Sequence, residues 1–373
     1  MADRTIDEPV NSNLDYQLSA YSYTLPESRI AQNPVSPRDH SKLLVINGKK
    51  THQHAHFYDL VNWLSSGDLL VLNNTRVIPA RLLGHKTSGG AVEVLLVEPV
   101  DDQRWLALVR PGKRMQPGVE VWFGEDAENP MMTAIVESKD EATGGRIVRL
   151  LPQVDGTIDT LIHQLGQIPL PPYITRSQSL PEQYQTVFAE RKGAIAAPTA
   201  GLHFTDTLLS KLAAKGVQTA EITLHVGIGT FRPVEAADIK THEMHEERIE
   251  VPAETVEKIR QTKANGGRVI TVGTTSTRAL EGAAAISGEL QPFMGRTDLF
   301  IYPGYQWRVI DGLITNFHLP GSSLLMMVSA LIGRERLLAI YEEAIASDYR
   351  FYSFGDAMLI LPEAKIDSAS EAE

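Results

Sequence analysis

The 373-residue chain contains no cysteine. That excludes thiol catalysis, disulfides and Cys-ligated zinc or iron–sulfur sites. Long apolar runs are missing too. The longest, such as SLLMMVSALI, fall far short of the roughly 20 residues that cross a bilayer. The opening MADRTIDEPVNSN has no apolar stretch, so no signal peptide is expected, and a cytoplasmic protein without a membrane partner is the expectation. Basic charge is scarce: Lys and Arg number 35 against 46 Asp and Glu, a net −11 that by itself argues against nucleic acid. There is no P-loop pattern and no G-x-G-x-x-G fingerprint, so neither nucleotide-phosphate nor dinucleotide binding is indicated.

What is present has two textures. Around a central region the chain alternates strands and helices. KLLVI and LLVLNN read as strands, TDTLLSKLAAKG as a helix capped by Thr205 and closed by Gly216, and VEKIRQTKANGG as another. RVITV runs into the strand–turn–helix unit GTTSTRALEGAAA; LFIYPG and LITNF read as further strands; RERLLAIYEEAIA reads as an amphipathic helix. From Arg76 to about Gln153 six short strand-like runs follow one another with turn signals between them and no helix. The expected fold is α/β, a mixed and partly parallel sheet carrying an inserted small β-barrel or sandwich. The expected boundaries are 1–75 with 154–373 for the α/β domain and 76–153 for the insert, with polar, acidic ends.

The chemistry-bearing residues gather in a few places. His203, in APTAGLHFT, and His225, in TLHVGIGTF, sit among Gly, Thr and Ala, which bury little apolar area but admit a ligand to the backbone and offer hydroxyls. HEMHEE follows at 242–247. It puts His242, His245 and Glu246 on one face if helical, or His245 and Glu247 if extended. Its spacing is not the zincin H-E-x-x-H, so metal binding has weak support there. In GTTSTRALE a buried strand gives way to a helix N-terminus rich in hydroxyls, at Gly273, Thr274 and Thr275, a setting for a carboxylate, a phosphate or ribose. RPGKR gathers Arg110, Lys113 and Arg114 at a turn able to meet a phosphate backbone. The run His52, His54, His56 reads as an exposed loop and receives no role.

Taken in order, SYTLPESRIAQNP, GDLLVLNNTRVIPARLLG, RPGKR, GAIAAPTAGLHFT, TLHVGIGTF, MHEE, VGTTSTRALE, FIYPGY, TNFHLP and YRFYSFGDAML closely resemble the S-adenosylmethionine:tRNA ribosyltransferase-isomerases of queuosine biosynthesis. The resemblance spans roughly Tyr23 to Leu361. It implies an α/β domain with an inserted barrel. It also implies a reaction in which the ribosyl part of S-adenosylmethionine is moved to 7-aminomethyl-7-deazaguanine at the wobble position of a tRNA with a GUN anticodon and isomerised, giving epoxyqueuosine, adenine and methionine. No metal or cofactor beyond that donor substrate is implied, and a monomer is expected. The chain departs from the family pattern at Gly321-Ser322-Ser323, where Lys-Ser-Thr is common, and at Lys42, where Arg is frequent.

Under that resemblance a base is needed for the C5′ proton beside the sulfonium, and an acid for departing adenine. His203, His225, His245 and Glu247 are the candidates. Thr199, Gly201, Gly273, Thr274, Thr275 and Arg278 are the candidates for substrate binding. Arg110, Lys113 and Arg114 are the candidates for tRNA, with Arg38 and Arg76 as seconds. Two rival readings are a metal-dependent hydrolase built on the His/Glu cluster and a non-catalytic tRNA-binding module. Neutralising two of Arg110, Lys113 and Arg114 is expected to weaken tRNA binding and to lower the slope of log affinity against log salt by about 2. Titrations at several salt concentrations check this; an unchanged slope clears the turn of phosphate contact.

Overall fold

The computed structural model describes residues 14–126, 128–227 and 234–366. The chain forms two compact units. One comprises Met1–Asn73, Thr199–Ile222 and Arg232–Glu373; the other comprises Asn74–Pro198 and Thr223–Phe231. The expected insert 76–153 lies inside the second unit, which runs on to Pro198 and also takes in the segment around His225. Both chain ends and the Ile228–Phe231 part of TLHVGIGTF lie outside the described residues.

The first unit is organised by a nine-stranded mixed sheet in the order Phe293–Thr297, Glu247–Val251, Gln218–Leu224, Leu69–Asn73, Val269–Val272, Gly312–Asn316, Ala357–Ile360, Lys42–Ile46, His52–His56. Leu69–Asn73 pairs in parallel with both neighbours, and all five of its residues are buried. An unbroken apolar run such as LLVLN suits a strand covered on both faces, where alternation would bury polar side chains. Helices Ala253–Ala264 and Thr274–Ser287 pack against this part of the sheet. Local sequence sets several helix starts. Thr205 accepts the Leu208 N–H at 3.1 Å to open Asp206–Ala214, and Ser322 accepts that of Leu325 at 3.2 Å to open Ser323–Ile332.

Two local expectations fail, and one open alternative is decided. LFIYPG is not a strand: the strand is Phe293–Thr297 just before it, antiparallel to Glu247–Val251. Of the two readings of HEMHEE the extended one holds, running into Glu247–Val251. The His52–His56 run is no loop. It is an edge strand paired antiparallel with Lys42–Ile46, from Lys42↔His56 to Ile46↔His52. Histidine is a poor signal for a strand, and the pairing with the apolar KLLVI supplies what the side chains do not.

In the second unit, strands Arg81–Lys86, Ala91–Pro99, Arg104–Arg110, Arg146–Pro152, Met132–Lys139 and Glu120–Phe123 are joined edge to edge in that order. His85↔Trp122 and Lys86↔Val121 then close the ring. This is a closed six-stranded antiparallel barrel. Its interior is filled by Leu82, Val94, Leu96, Ala107, Val121, Phe123, Met132, Ala134, Val148 and Leu150, a packed core rather than a channel. Helix Ile158–Leu165, capped by Thr157, adds Leu161 and Ile162 to the same cluster.

One buried carboxylate ties a loop to helix Thr274–Ser287. Glu281, with no exposed surface, accepts from the Tyr305 hydroxyl and from the backbone N–H groups of Arg308, Val309 and Ile310, each at 3.0 Å. Removing the acceptor strands the N–H groups of Val309 and Ile310 beneath the surface and leaves that of Arg308 without its partner. Glu281→Ala is expected to cost about 3 kcal/mol or more, and Glu281→Gln, which keeps one acceptor oxygen, clearly less. Denaturant unfolding of the two variants beside wild type checks the order.

Candidate active site

Within the first unit the APTAGLH, TNFHLP and YRFYSFGD segments converge on His203. The short 3-10 helix Thr199–His203 buries the imidazole completely and stacks it on Phe57 at 5.0 Å. The Asn316 carboxamide sets its tautomer. Asn316 Oδ1 accepts from the Thr199 hydroxyl at 3.0 Å, while Nδ2 donates to the Tyr352 carbonyl at 3.2 Å and to His203 Nε2 at 3.1 Å. Nε2 therefore accepts, the ring proton sits on Nδ1, and Nδ1 donates to Ser41 Oγ at 2.7 Å. Burial, with the guanidinium charges of Arg38 and Arg350, holds the His203 pKa well below its usual value. His203 is thus a neutral, fully committed imidazole, and the role of proton acceptor does not suit it.

Tyr352 has φ 71°, a left-handed conformation that a bulky residue rarely takes. Asp356 clamps the turn that imposes it. Its carboxylate accepts the Lys42 N–H at 2.9 Å and the Arg350 N–H at 2.7 Å, and Gly355 N–H closes back onto the Tyr352 carbonyl at 3.0 Å. Strain of this kind gathers at functional sites.

Helix Thr274–Ser287 starts against the same 3-10 helix. A Cβ placed on Gly273 would lie 3.6 Å from Ala200 Cβ, and the Gly273 φ of 89° calls for glycine. Ser276 Oγ turns back to the Val272 carbonyl and Thr277 Oγ1 to that of Gly273, and the N-cap residue, Gly273, has no side chain with which to cap the first turn. Thr275 Oγ1 is buried without a hydrogen-bond partner. Three residues on, Arg278 is 3% exposed. It forms a buried ion pair with Glu247 and donates from Nε to the Leu299 carbonyl at 3.2 Å, while Nη2 has no partner. Residues three apart share a helix face, so Thr275 and Arg278, each with a buried unpartnered donor, lie on one face in the first turns of this helix. Thr274, next to Thr275 in sequence, and Gly201, in the 3-10 helix Thr199–His203, are buried, and His245 is half-buried ahead of Glu247.

In the second unit, strand Thr75–Val77 pairs in parallel with Arg191–Ala194. The Thr75 hydroxyl meets His225 Nδ1 at 2.8 Å. The ring lies over the Gly193 backbone: a Cβ there would come within 2.8–3.1 Å of three ring atoms. His225 is half-buried, its plane set by a hydroxyl and a glycine. RPGKR closes the end of strand Arg104–Arg110, and Arg110, Lys113 and Arg114 are all exposed. Buried Arg146 holds the turn from beneath, donating to the carbonyls of Gly112 at 2.9 Å and Met115 at 2.6 Å. Arg76 is exposed and donates to the Ala189 carbonyl at 3.1 Å.

A family model described as queuosine biosynthesis protein matches residues 18–360. The chain is 60% identical over 360 residues to the S-adenosylmethionine:tRNA ribosyltransferase-isomerase of Acaryochloris marina, covering 96% of this chain and 97% of that one. It is 60% identical over 362 residues to the protein of the same name from Synechococcus elongatus, covering 97% and 100%. The crystal structure of S-adenosylmethionine tRNA ribosyltransferase from Thermotoga maritima is similar with a TM-score of 0.53 and 40% identity, over 92% of this chain and all of that one.

The chain belongs to the queuosine biosynthesis family of S-adenosylmethionine:tRNA ribosyltransferase-isomerases. Two of the family-based candidates lie in buried settings. The His203 imidazole is fully buried with both ring nitrogens hydrogen-bonded. The Arg38 guanidinium is buried as well. Its Nε donates to the Leu202 carbonyl at 3.1 Å, both terminal nitrogens are sealed from water without partners, and burial pushes its pKa down to about 10. Among the described residues, HEMHEE forms no convergent metal-ligand group. Ser41, Asn316, Tyr352, Arg146, Thr75 and Gly193 had no part in the sequence-based site. TNFHLP and YRFYSFGD carried the signal for two of them, but only contacts distant in sequence show what those residues hold.

His318 shares the condition of His203. It meets the Thr315 hydroxyl at 2.7 Å, and burial lowers its pKa to about 3. Both imidazoles are neutral when folded, whereas in the unfolded chain they take up protons below about pH 6.5. Their contribution is therefore complete above that value and falls as the pH drops toward the depressed native values, by up to about 1.4 kcal/mol per pH unit for each. Unfolding free energies measured from about pH 7 to 5 are expected to decline, and His318→Gln to shallow the decline. A flat wild-type profile over that window rules this out.

Proposed function

We propose that the chain transfers and isomerises the ribosyl moiety of S-adenosylmethionine onto 7-aminomethyl-7-deazaguanine at the wobble position of tRNAs with GUN anticodons, giving epoxyqueuosine, adenine and methionine. It is read as a cytoplasmic monomer needing no metal or cofactor for this step; among the described residues no helix is long and apolar enough to cross a membrane. The observation that supports the reading most is the uncapped start of helix Thr274–Ser287, with buried unpaired donors on Thr275 and Arg278. An amino-acid carboxylate would satisfy both. The Glu247 carboxylate paired to Arg278 gives the place the opposite sign as well, which suits a substrate carrying carboxylate, ammonium and sulfonium together.

Thr199, Gly201, Gly273 and Thr274 shape the wall of this donor site, and His203 positions it through Asn316. His245 and Glu247 stay as candidates to take the C5′ proton. His225, oriented by Thr75 over Gly193, is assigned the proton for departing adenine. Arg110, Lys113 and Arg114, with Arg76, are assigned to tRNA phosphates.

Adenine release with substrate tRNA tests the assignment. His225→Asn is expected to lower turnover about 100-fold or more. Thr275→Val and Arg278→Lys are expected chiefly to raise the KM for S-adenosylmethionine. If His225→Asn, Glu247→Gln and Arg278→Lys all keep wild-type turnover and KM, the assignment is wrong.

A further inference from the structure

The run His52, His54, His56 is absorbed by nothing above. On the edge strand His52–His56, alternate side chains share a face, and two of these imidazoles reach the same residue of helix Arg334–Ala346. His52 Nε2 lies 2.9 and 3.0 Å from the two oxygens of Glu343, and His54 Nε2 lies 3.0 Å from Oε1. One ligand atom from each of the three residues falls within 4.8 Å of the others. His56 turns elsewhere, stacking on Tyr58 at 5.1 Å.

The surroundings fit metal ligation in a further respect. A ligating histidine is normally held by a hydrogen bond at its other nitrogen. His54 Nδ1 meets the Tyr349 hydroxyl at 2.8 Å, and that hydroxyl donates to the Leu43 carbonyl at 3.4 Å. His54 Nε2 is thereby held facing the carboxylate that His52 Nε2 also faces, which brings together two imidazole nitrogens and a carboxylate, the donor types a transition ion takes. Neighbouring ligand atoms around a tetrahedral zinc ion sit about 3.3 Å apart, so small side-chain rotations admit the ion. Side-chain exposures of 25% for His52, 45% for His54 and 43% for Glu343 leave a path from solvent.

We propose that His52, His54 and Glu343 form a binding site for a divalent first-row transition ion, with Zn²⁺ the best match to two imidazoles and one carboxylate. The ion joins the edge strand of the large sheet to helix Arg334–Ala346. Its role is to staple and to blunt an open strand edge, and it stands apart from the ribosyl-transfer assignment.

The full chain, without a histidine tag and freed of metal by chelator, is to be titrated with Zn²⁺ alone against a chromophoric chelator, with thermal unfolding followed in parallel. One ion per chain and a raised Tm are expected for wild type and for the matched control His56→Ala. His52→Ala and His54→Ala each weaken binding by at least about 10-fold and abolish the Tm rise. His52 is half-buried and His54 exposed, and circular dichroism of the metal-free variants checks their fold. The site is overturned if wild type takes up no Zn²⁺, or if the His52→Ala/His54→Ala double variant binds it with wild-type stoichiometry and affinity.

Discussion

The carboxamide of Asn316 is the contact on which the arrangement in the first unit depends. It is held from one side by the Thr199 hydroxyl and from another by the carbonyl of a strained Tyr352, so its two ends cannot exchange. That orientation leaves His203 one tautomer, and the tautomer aims its proton at Ser41. Four segments far apart in the chain are thereby joined by a single set of donors and acceptors. Because the imidazole is uncharged, the arrangement tolerates the nearby guanidiniums of Arg38 and Arg350, which would repel a protonated ring.

The barrel of the second unit solves a different problem. A ring of six strands has no free edge, and its interior is apolar, so the polar work falls on the turns. RPGKR is such a turn, and its geometry is not left to solvent. Arg146 spends its guanidinium on backbone carbonyls beneath it, which keeps a buried charge hydrogen-bonded and leaves the outer cations free to face outward.

Elements whose information is local were legible in the sequence. Helix Asp206–Ala214 carried its own cap and stop, and the six barrel strands carried β-branched runs bounded by turn residues. LFIYPG misled because a β-branched, aromatic composition also suits a packed loop: Ile301 is held in a cluster with Met327 and Ala330, and Leu299 packs against it. The histidine run misled in the other direction, since its strand exists through pairing with KLLVI. Among the candidates, His225, Thr275 and Arg278 were picked out by motif and spacing. Asn316, Ser41 and Arg146 were not, because each matters through a partner whose distance along the chain no local pattern encodes. The neutrality of His203 was equally hidden, for burial belongs to the fold rather than to the residue.

The face-on contact between His225 and Gly193 bears on how this protein can change over time. The imidazole rests where any side chain at 193 would have to be, so the two positions are not free to vary independently. A lineage that replaced the glycine would have to move or surrender the histidine in the same step, and intermediates between the two solutions would be unfit. A residue with no functional group thereby becomes as hard to exchange as the group it accommodates.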